Sequence, residues 1–257
     1  MTNGVLVLWR LMAIACAMRH STFASLVFAA SLILAASGCS SPPRATSVQQ
    51  WGSMKVVLRQ GRTEARVSLK DVCASDGMVA VGALEGLRGE ITVLDGEAWI
   101  ARAPNVESVV GERTRASGES ATLLVASDVD AWQTVSITES VDDELDVVVL
   151  SYAKAAGVDV TKPFPFVVEG EFGSVQLHVI RGGCPIANPD GPKPARVHEE
   201  RAKGRVVGFY AHGSSGDLTH HTSDVHAHVI LNGGKNVSGH IDSIRLRAGN
   251  TLRLPAR

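Results

Sequence analysis

The stretch Asp224-Val225-His226-Ala227-His228-Val229-Ile230-Leu231-Asn232-Gly233-Gly234-Lys235-Asn236-Val237-Ser238-Gly239-His240-Ile241 decides how the chain is read. Two apolar runs flank Asn232-Gly233-Gly234, a strong turn signal, so the pattern predicts a β-hairpin. Side chains alternate along a strand with period two, which places His226 and His228 on one face. A hairpin centred on Gly234 sets His228 opposite His240 and makes His226 a diagonal neighbour. Three imidazoles then converge on one patch and leave one face of a tetrahedral cation open, the arrangement of a catalytic rather than a structural zinc. One histidine in an apolar run is ordinarily a satisfied or surface side chain. Three on paired strands are a metal-ligand set.

Working outward, 257 residues suffice for one large domain or two small ones. A formal net charge of -1 with 20% charged residues provides no basic field, which excludes nucleic acid as a partner. Near the N-terminus, Arg19-His20 precede an uncharged apolar run, Phe23 to Ala36, that ends in Ala36-Ser37-Gly38-Cys39. A charged start, a short apolar core and small residues describe an export signal, and the run is short for a bilayer span. Met18 is the expected start of translation. The Ser-Gly-Cys ending resembles a bacterial lipobox, which implies lipidation of Cys39, a periplasmic or cell-envelope address and membrane contact through the lipid anchor only. Residues 1–39 are thus read as signal, 40–53 as a Ser/Pro/Thr linker and 54–257 as the folded part. Outside the signal only Cys73 and Cys184 remain. Their separation fits either a disulfide or two buried thiols, and neither has metal-type spacing.

Within the folded part, Met54 to Leu58 reads as a short strand, and Ser68 as the N-cap of a short helix through Ala74. Two apolar runs around Asp95-Gly96 predict a second hairpin, with Glu90 opening its first strand. Ala121 to Ala126 and Trp132 to Thr138 read as strands. Val141 to Ala156 has helical apolar spacing, acids in its first turn and Gly157 as its stop. Phe164 to Val168 and Val175 to Ile180 read as two strands parted by Glu169-Gly170-Glu171-Phe172-Gly173, and Gly182 to Pro194 as a long loop. Arg205 to Ala211 and Thr251 to Leu254 complete the strands, while His220 and His221 fall in a polar loop expected to face solvent.

Three segments in order resemble the alpha-acetolactate decarboxylase family. The first is Gly82-Ala83-Leu84-Glu85-Gly86-Leu87-Arg88-Gly89-Glu90-Ile91-Thr92-Val93-Leu94-Asp95-Gly96. The second is Pro165-Phe166-Val167-Val168-Glu169-Gly170-Glu171-Phe172-Gly173-Ser174-Val175, and the third is the His-x-His hairpin ending in Ser238-Gly239-His240. The resemblance implies an α+β fold of mixed β-sheets in two lobes with few helices. The N-terminal lobe would span about 54–160 and the C-terminal, metal-binding lobe about 161–257. It also implies a homodimer, zinc on His226, His228 and His240, and Glu90 facing the metal. The implied reaction is decarboxylation of 2-acetolactate, or a related 2-hydroxy-3-keto acid, to acetoin. Such chemistry suits the ligand set, because neutral imidazoles leave the dication its full charge for an oxyanion, and a positioned acid then protonates carbon.

The sequence departs from the family around the substrate. Ala83 replaces a threonine, His178 stands where the family has a pocket arginine, and the chain stops at Arg257, before a family glutamate. Arginine grips a carboxylate bidentately and a neutral imidazole does not. Arg181 would substitute only after a register change. Glu90 and His178 are therefore the catalytic candidates. The alternative is a non-catalytic exported lipoprotein that keeps the fold and the zinc for ligand or metal binding.

Overall fold

The computed structural model describes residues 47–256 apart from 116, 143, 184–189, 220, 221, 234 and 235. The expected signal with Cys39, most of the linker, Cys184, and His220 with His221 lie outside the described residues. Cys73 is a buried free thiol. No helix among the described residues is long and apolar enough to cross a membrane.

The first sheet holds β1 (Val48–Trp51), β2 (Val67–Ser68), β3 (Met78–Leu84), β4 (Glu90–Leu94), β5 (Glu97–Asn105), β6 (Ser108–Thr114) and β7 (Ser120–Asp128). Its order is β1-β7-β3-β4-β5-β6, with β2 also paired to β7. The β4–β5 hairpin turns at Asp95 and Gly96, whose φ values of 52° and 70° are those a two-residue turn needs to match strand twist. Val48–Trp51, expected as linker, instead pairs antiparallel with β7. Met54 to Leu58, expected as strand, forms helix α1 (Met54–Gln60), stopped by Gly61 at φ 64°. A short apolar run does not distinguish the two by periodicity; here burial of Met54 and Val57, three apart, settles it. Helix α2 (Leu69–Val72) starts as expected at Ser68, whose side chain accepts from the Lys70 N–H, but is one turn long.

The second sheet holds β8 (Trp132–Ser136), β9 (Val141–Asp142), β10 (Phe164–Val179), β11 (Ala195–Glu200), β12 (Lys203–Tyr210), β13 (Val225–Leu231), β14 (Ser238–Leu246) and β15 (Thr251–Pro255). Helix α3 (Leu145–Ala155) packs on it through Val148, Val149 and Ala153. The helix begins later than its apolar spacing predicts, because Val141 and Asp142 pair with β14 and Arg245 Nε donates to Asp142 at 2.5 Å.

The two strands expected around residues 169–173 are one, β10. The glycine-rich segment marks a change of partner instead of a break: Phe164 to Glu171 pair with β12, and Phe172 to His178 with β14. Gly170 sits at φ 146°, and a Cβ there would lie 2.1 Å from Asn250 Nδ2. Because β12 pairs with β13 and β13 with β14, the ring β10-β12-β13-β14 closes back on β10.

Alternation assigns the two faces of this ring. Phe166, Val168, Val206, Val225, Ala227 and Val229 join the α3 cluster. Val167, Val207, Phe209 and Ile230 pack instead with Val79, Val81, Leu94, Trp99 and Val125 of the first sheet. Fully burying one such side chain contributes about 1.5–3 kcal/mol, so both faces of β13 are committed to cores. Polar side chains on β13 must find partners between the sheets.

Candidate metal centre

His226 and His228 occupy the face of β13 that also carries Ile230, which packs against the first sheet. The predicted register holds: His228 pairs with His240 across the β13–β14 ladder. Ring centroids of the three histidines lie 5.3–5.5 Å apart, and one nitrogen from each falls within 4.8 Å of the others. His226 and His228 are 2% and 0% exposed, His240 8%. Three buried imidazoles so placed form a donor set that fits a divalent first-row cation such as zinc.

The first sheet completes the centre. Glu90 and Thr92, two apart on β4, share the face turned to β13. Thr92 Oγ1 lies 3.1 Å from His228 Nδ1. This contact orients the ring so that Nε2 is the nitrogen on the Glu90 side, the role an outer partner plays for a metal-binding histidine. Glu90 Oε2 is 3.8 Å from His228 Nε2, while Oε1 accepts from the Ile180 N–H at 3.2 Å. Burial pushes the Glu90 carboxyl up to about 7, against the opposing pull of His178 and the Ile180 N–H; Asp242 adds to the rise. Glu90 can begin a strand here because the turn before it is tight. Gly89, at φ 152°, lets β5 approach so closely that a Cβ would meet the Ala101 carbonyl at 2.2 Å.

His178 reaches the same place from β10. It pairs with His240, and the two rings are 4.9 Å apart. Its Nδ1 is 2.7 Å from Asp242 Oδ1. Burial alone would lower the His178 pKa, but the bond to Asp242 and the charges of Glu90 and Asp242 outweigh it and raise the pKa above 6.5. His178, His240 and Asp242 line a cleft of about 390 Å³ together with Asp146, Thr222, Ser223 and Ser243, and among the described residues no lysine or arginine lines it. His226, His228 and Glu90 lie behind that cleft, in the sheet interface.

Arg181 does not supply the missing cation. Its guanidinium donates to the carbonyls of Ala103, Pro104 and Lys193 at 3.0–3.1 Å. Ala83, opposite Glu90 on β3, packs with Met54, Val57, Leu87 and Leu123 in an apolar shell beside the carboxylate. Thr92, Asp242 and the Ile180 N–H were not anticipated from the sequence. Thr92 had a usable signal, two residues after Glu90 in a strand; the other two are placed by strand ends and a bulge that carry no motif.

The sequence model described as Alpha-acetolactate decarboxylase matches residues 49–253. The alpha-acetolactate decarboxylase of Bacillus subtilis strain 168 superposes with a TM-score of 0.64 at 17% identity, covering 82% of this chain and 86% of that one. The acetolactate decarboxylase of Bacillus subtilis subspecies spizizenii gives 0.64 at 18%, with 82% and 86% covered. A Staphylococcus aureus protein of unknown function, described as similar to alpha-acetolactate decarboxylase, gives 0.64 at 15%, with 80% and 84% covered. No curated protein matches the chain in sequence. At these identities the structural likeness establishes the fold, with its two sheets and few helices.

Proposed function

The chain belongs to the alpha-acetolactate decarboxylase family, and we propose that it is a metal-dependent carboxy-lyase converting 2-acetolactate, or a related 2-hydroxy-3-keto acid, to acetoin or the corresponding hydroxyketone and CO2. His226, His228 and His240 hold the cation, for which zinc is the fitting choice. The observation that carries the reading is the convergence of these three imidazoles with buried Glu90.

A bound dication supplies Lewis-acid stabilisation of the charge that loss of CO2 leaves on the ketone oxygen. The remaining work falls to side chains. Glu90 is held by one oxygen on the Ile180 N–H, which leaves Oε2 to deliver a proton to the substrate carbon and to take one back. His178 and His240 line the cleft beside the triad, and His178 is placed to meet the polar end of a substrate held there. The apolar shell of Ala83, Leu87 and Leu123 excludes water from the Glu90 side.

One observation favours a second reading, a binding protein without turnover: among the described residues no lysine or arginine lines the cleft, and Arg181 is spent on backbone carbonyls. Racemic 2-acetolactate given to the purified protein with and without a chelator separates the two. Metal-dependent acetoin supports the lyase; its absence with zinc bound leaves the binding protein. We further propose export with Cys39 as the lipidated residue, membrane contact through that anchor alone, and a homodimer. Mass spectrometry of the membrane fraction and light scattering test these.

A further inference from the structure

We propose that Asp242 is a positioning residue for His178, and that a bulge in β14 delivers its carboxylate to the imidazole. The β10–β14 register runs Gln176 to Ser243 and then Leu177 to Ile241, so Asp242 is the extra residue on β14. A bulge of this kind bends the strand and re-aims one side chain, and such bulges concentrate beside active sites. Here it follows the His178–His240 pair by two residues.

Both carboxylate oxygens of Asp242 are engaged. Oδ1 faces His178 Nδ1 at 2.7 Å, and Oδ2 accepts from Arg196 Nη1, on β11. Arg196 is opposite His178 in the β10–β11 register, so the carboxylate is braced from the far side of the histidine it holds. A carboxylate accepting from Nδ1–H fixes both the tautomer and the ring plane, and it directs Nε2 away from Asp242. The side chains of His178 and Asp242 are 17% and 24% exposed, so the pair sits at the cleft wall and not in bulk solvent. A histidine standing alone on a strand would sample several ring orientations; the bulged aspartate removes that freedom.

The kinetic consequence rests on the lyase reading, whereas the structural one does not, and the test keeps them apart. In the full chain loaded with zinc, ring ¹⁵N–¹H correlation spectra are recorded for the parent, Asp242→Ala and Asp242→Glu, alongside zinc content, kcat and KM on 2-acetolactate. The expected result is an Nδ1–H tautomer for His178 in the parent that is lost in Asp242→Ala. With it come a fall in kcat of roughly tenfold or more, unchanged zinc stoichiometry, and substantial recovery in Asp242→Glu. A damaged fold or metal centre would instead lower zinc content. An unchanged His178 tautomer in Asp242→Ala, with kcat within twofold of the parent, overturns the proposal. If the parent makes no acetoin yet the tautomer changes, the dyad stands and the lyase reading fails.

Discussion

Replacing Glu90 with glutamine in the metal-free protein isolates what it takes to bury a carboxylate between the two sheets. The Glu90 carboxyl rises from 4.5 to about 7 because burial disfavours its charged form. At 1.36 kcal/mol per pKa unit, that shift corresponds to about 3 kcal/mol. The sign follows from proton binding. Below pH 4.5 both folded and unfolded chains hold the proton, and Glu90 has no effect on the pH dependence. Between 4.5 and about 7 the unfolded chain releases it while the folded chain keeps it, so stability falls as pH rises. Above 7 the folded chain carries the full penalty. Glu90→Gln removes the charge, preserves an acceptor for the Ile180 N–H, and stabilises the metal-free protein by up to about 3 kcal/mol at pH 8 with little change at pH 4.5. For a domain of this size that is a rise in Tm of roughly 6–12 °C at the higher pH. Urea unfolding of chelated protein across this range, parent against variant, measures the difference. His178, whose folded pKa is also raised, titrates nearby with the same sign, but both chains carry it, so subtraction leaves only its coupling to Glu90. A parent–variant difference that stays flat within about 0.5 kcal/mol from pH 4.5 to 8 would refute the assignment of Glu90 to a desolvated site. Saturating zinc should shrink the difference, since a bound cation offsets the buried charge.

Further outcomes follow from the same geometry. Alanine at any one of His226, His228 or His240 should abolish stoichiometric zinc, read by elemental analysis after dialysis; zinc retained at one per chain would displace the metal centre from this triad. Thr92→Val removes the hydroxyl beside His228 Nδ1 and should weaken zinc roughly 10–100-fold in a chelator competition, with the fold intact. Gly89→Ala places a Cβ 2.2 Å from the Ala101 carbonyl and should lower stability by more than about 2 kcal/mol, or prevent soluble expression. Arg181→Gln should reduce Tm through lost bonds to three carbonyls while KM for 2-acetolactate stays within twofold. A large KM rise would mean that Arg181 reaches the substrate after all.

The pairing of His228 with His240 was legible in the chain because strand alternation is local and the spacing of the two apolar runs sets their register. The Asp95-Gly96 turn and the Ser68 cap were legible for the same reason. Met54–Gln60 was not: a short apolar run satisfies either periodicity, and packing of Met54 and Val57 under Ala83 and Leu123 made it a helix. The 169–173 segment was misleading in an instructive way. Its glycines do mark a discontinuity, but one of partner exchange within a single strand, because closing the β10-β12-β13-β14 ring requires the strand to bend. Motif order brought Glu90 and His178 into view. Their surroundings came only from chain segments remote in sequence: Ile180 clamping Glu90, Thr92 turning His228, and Asp242 bulged toward His178. Side-chain pattern along a strand specifies which face a residue occupies. What stands opposite that face depends on how two sheets stack and where a ladder slips by one residue, which no local pattern encodes.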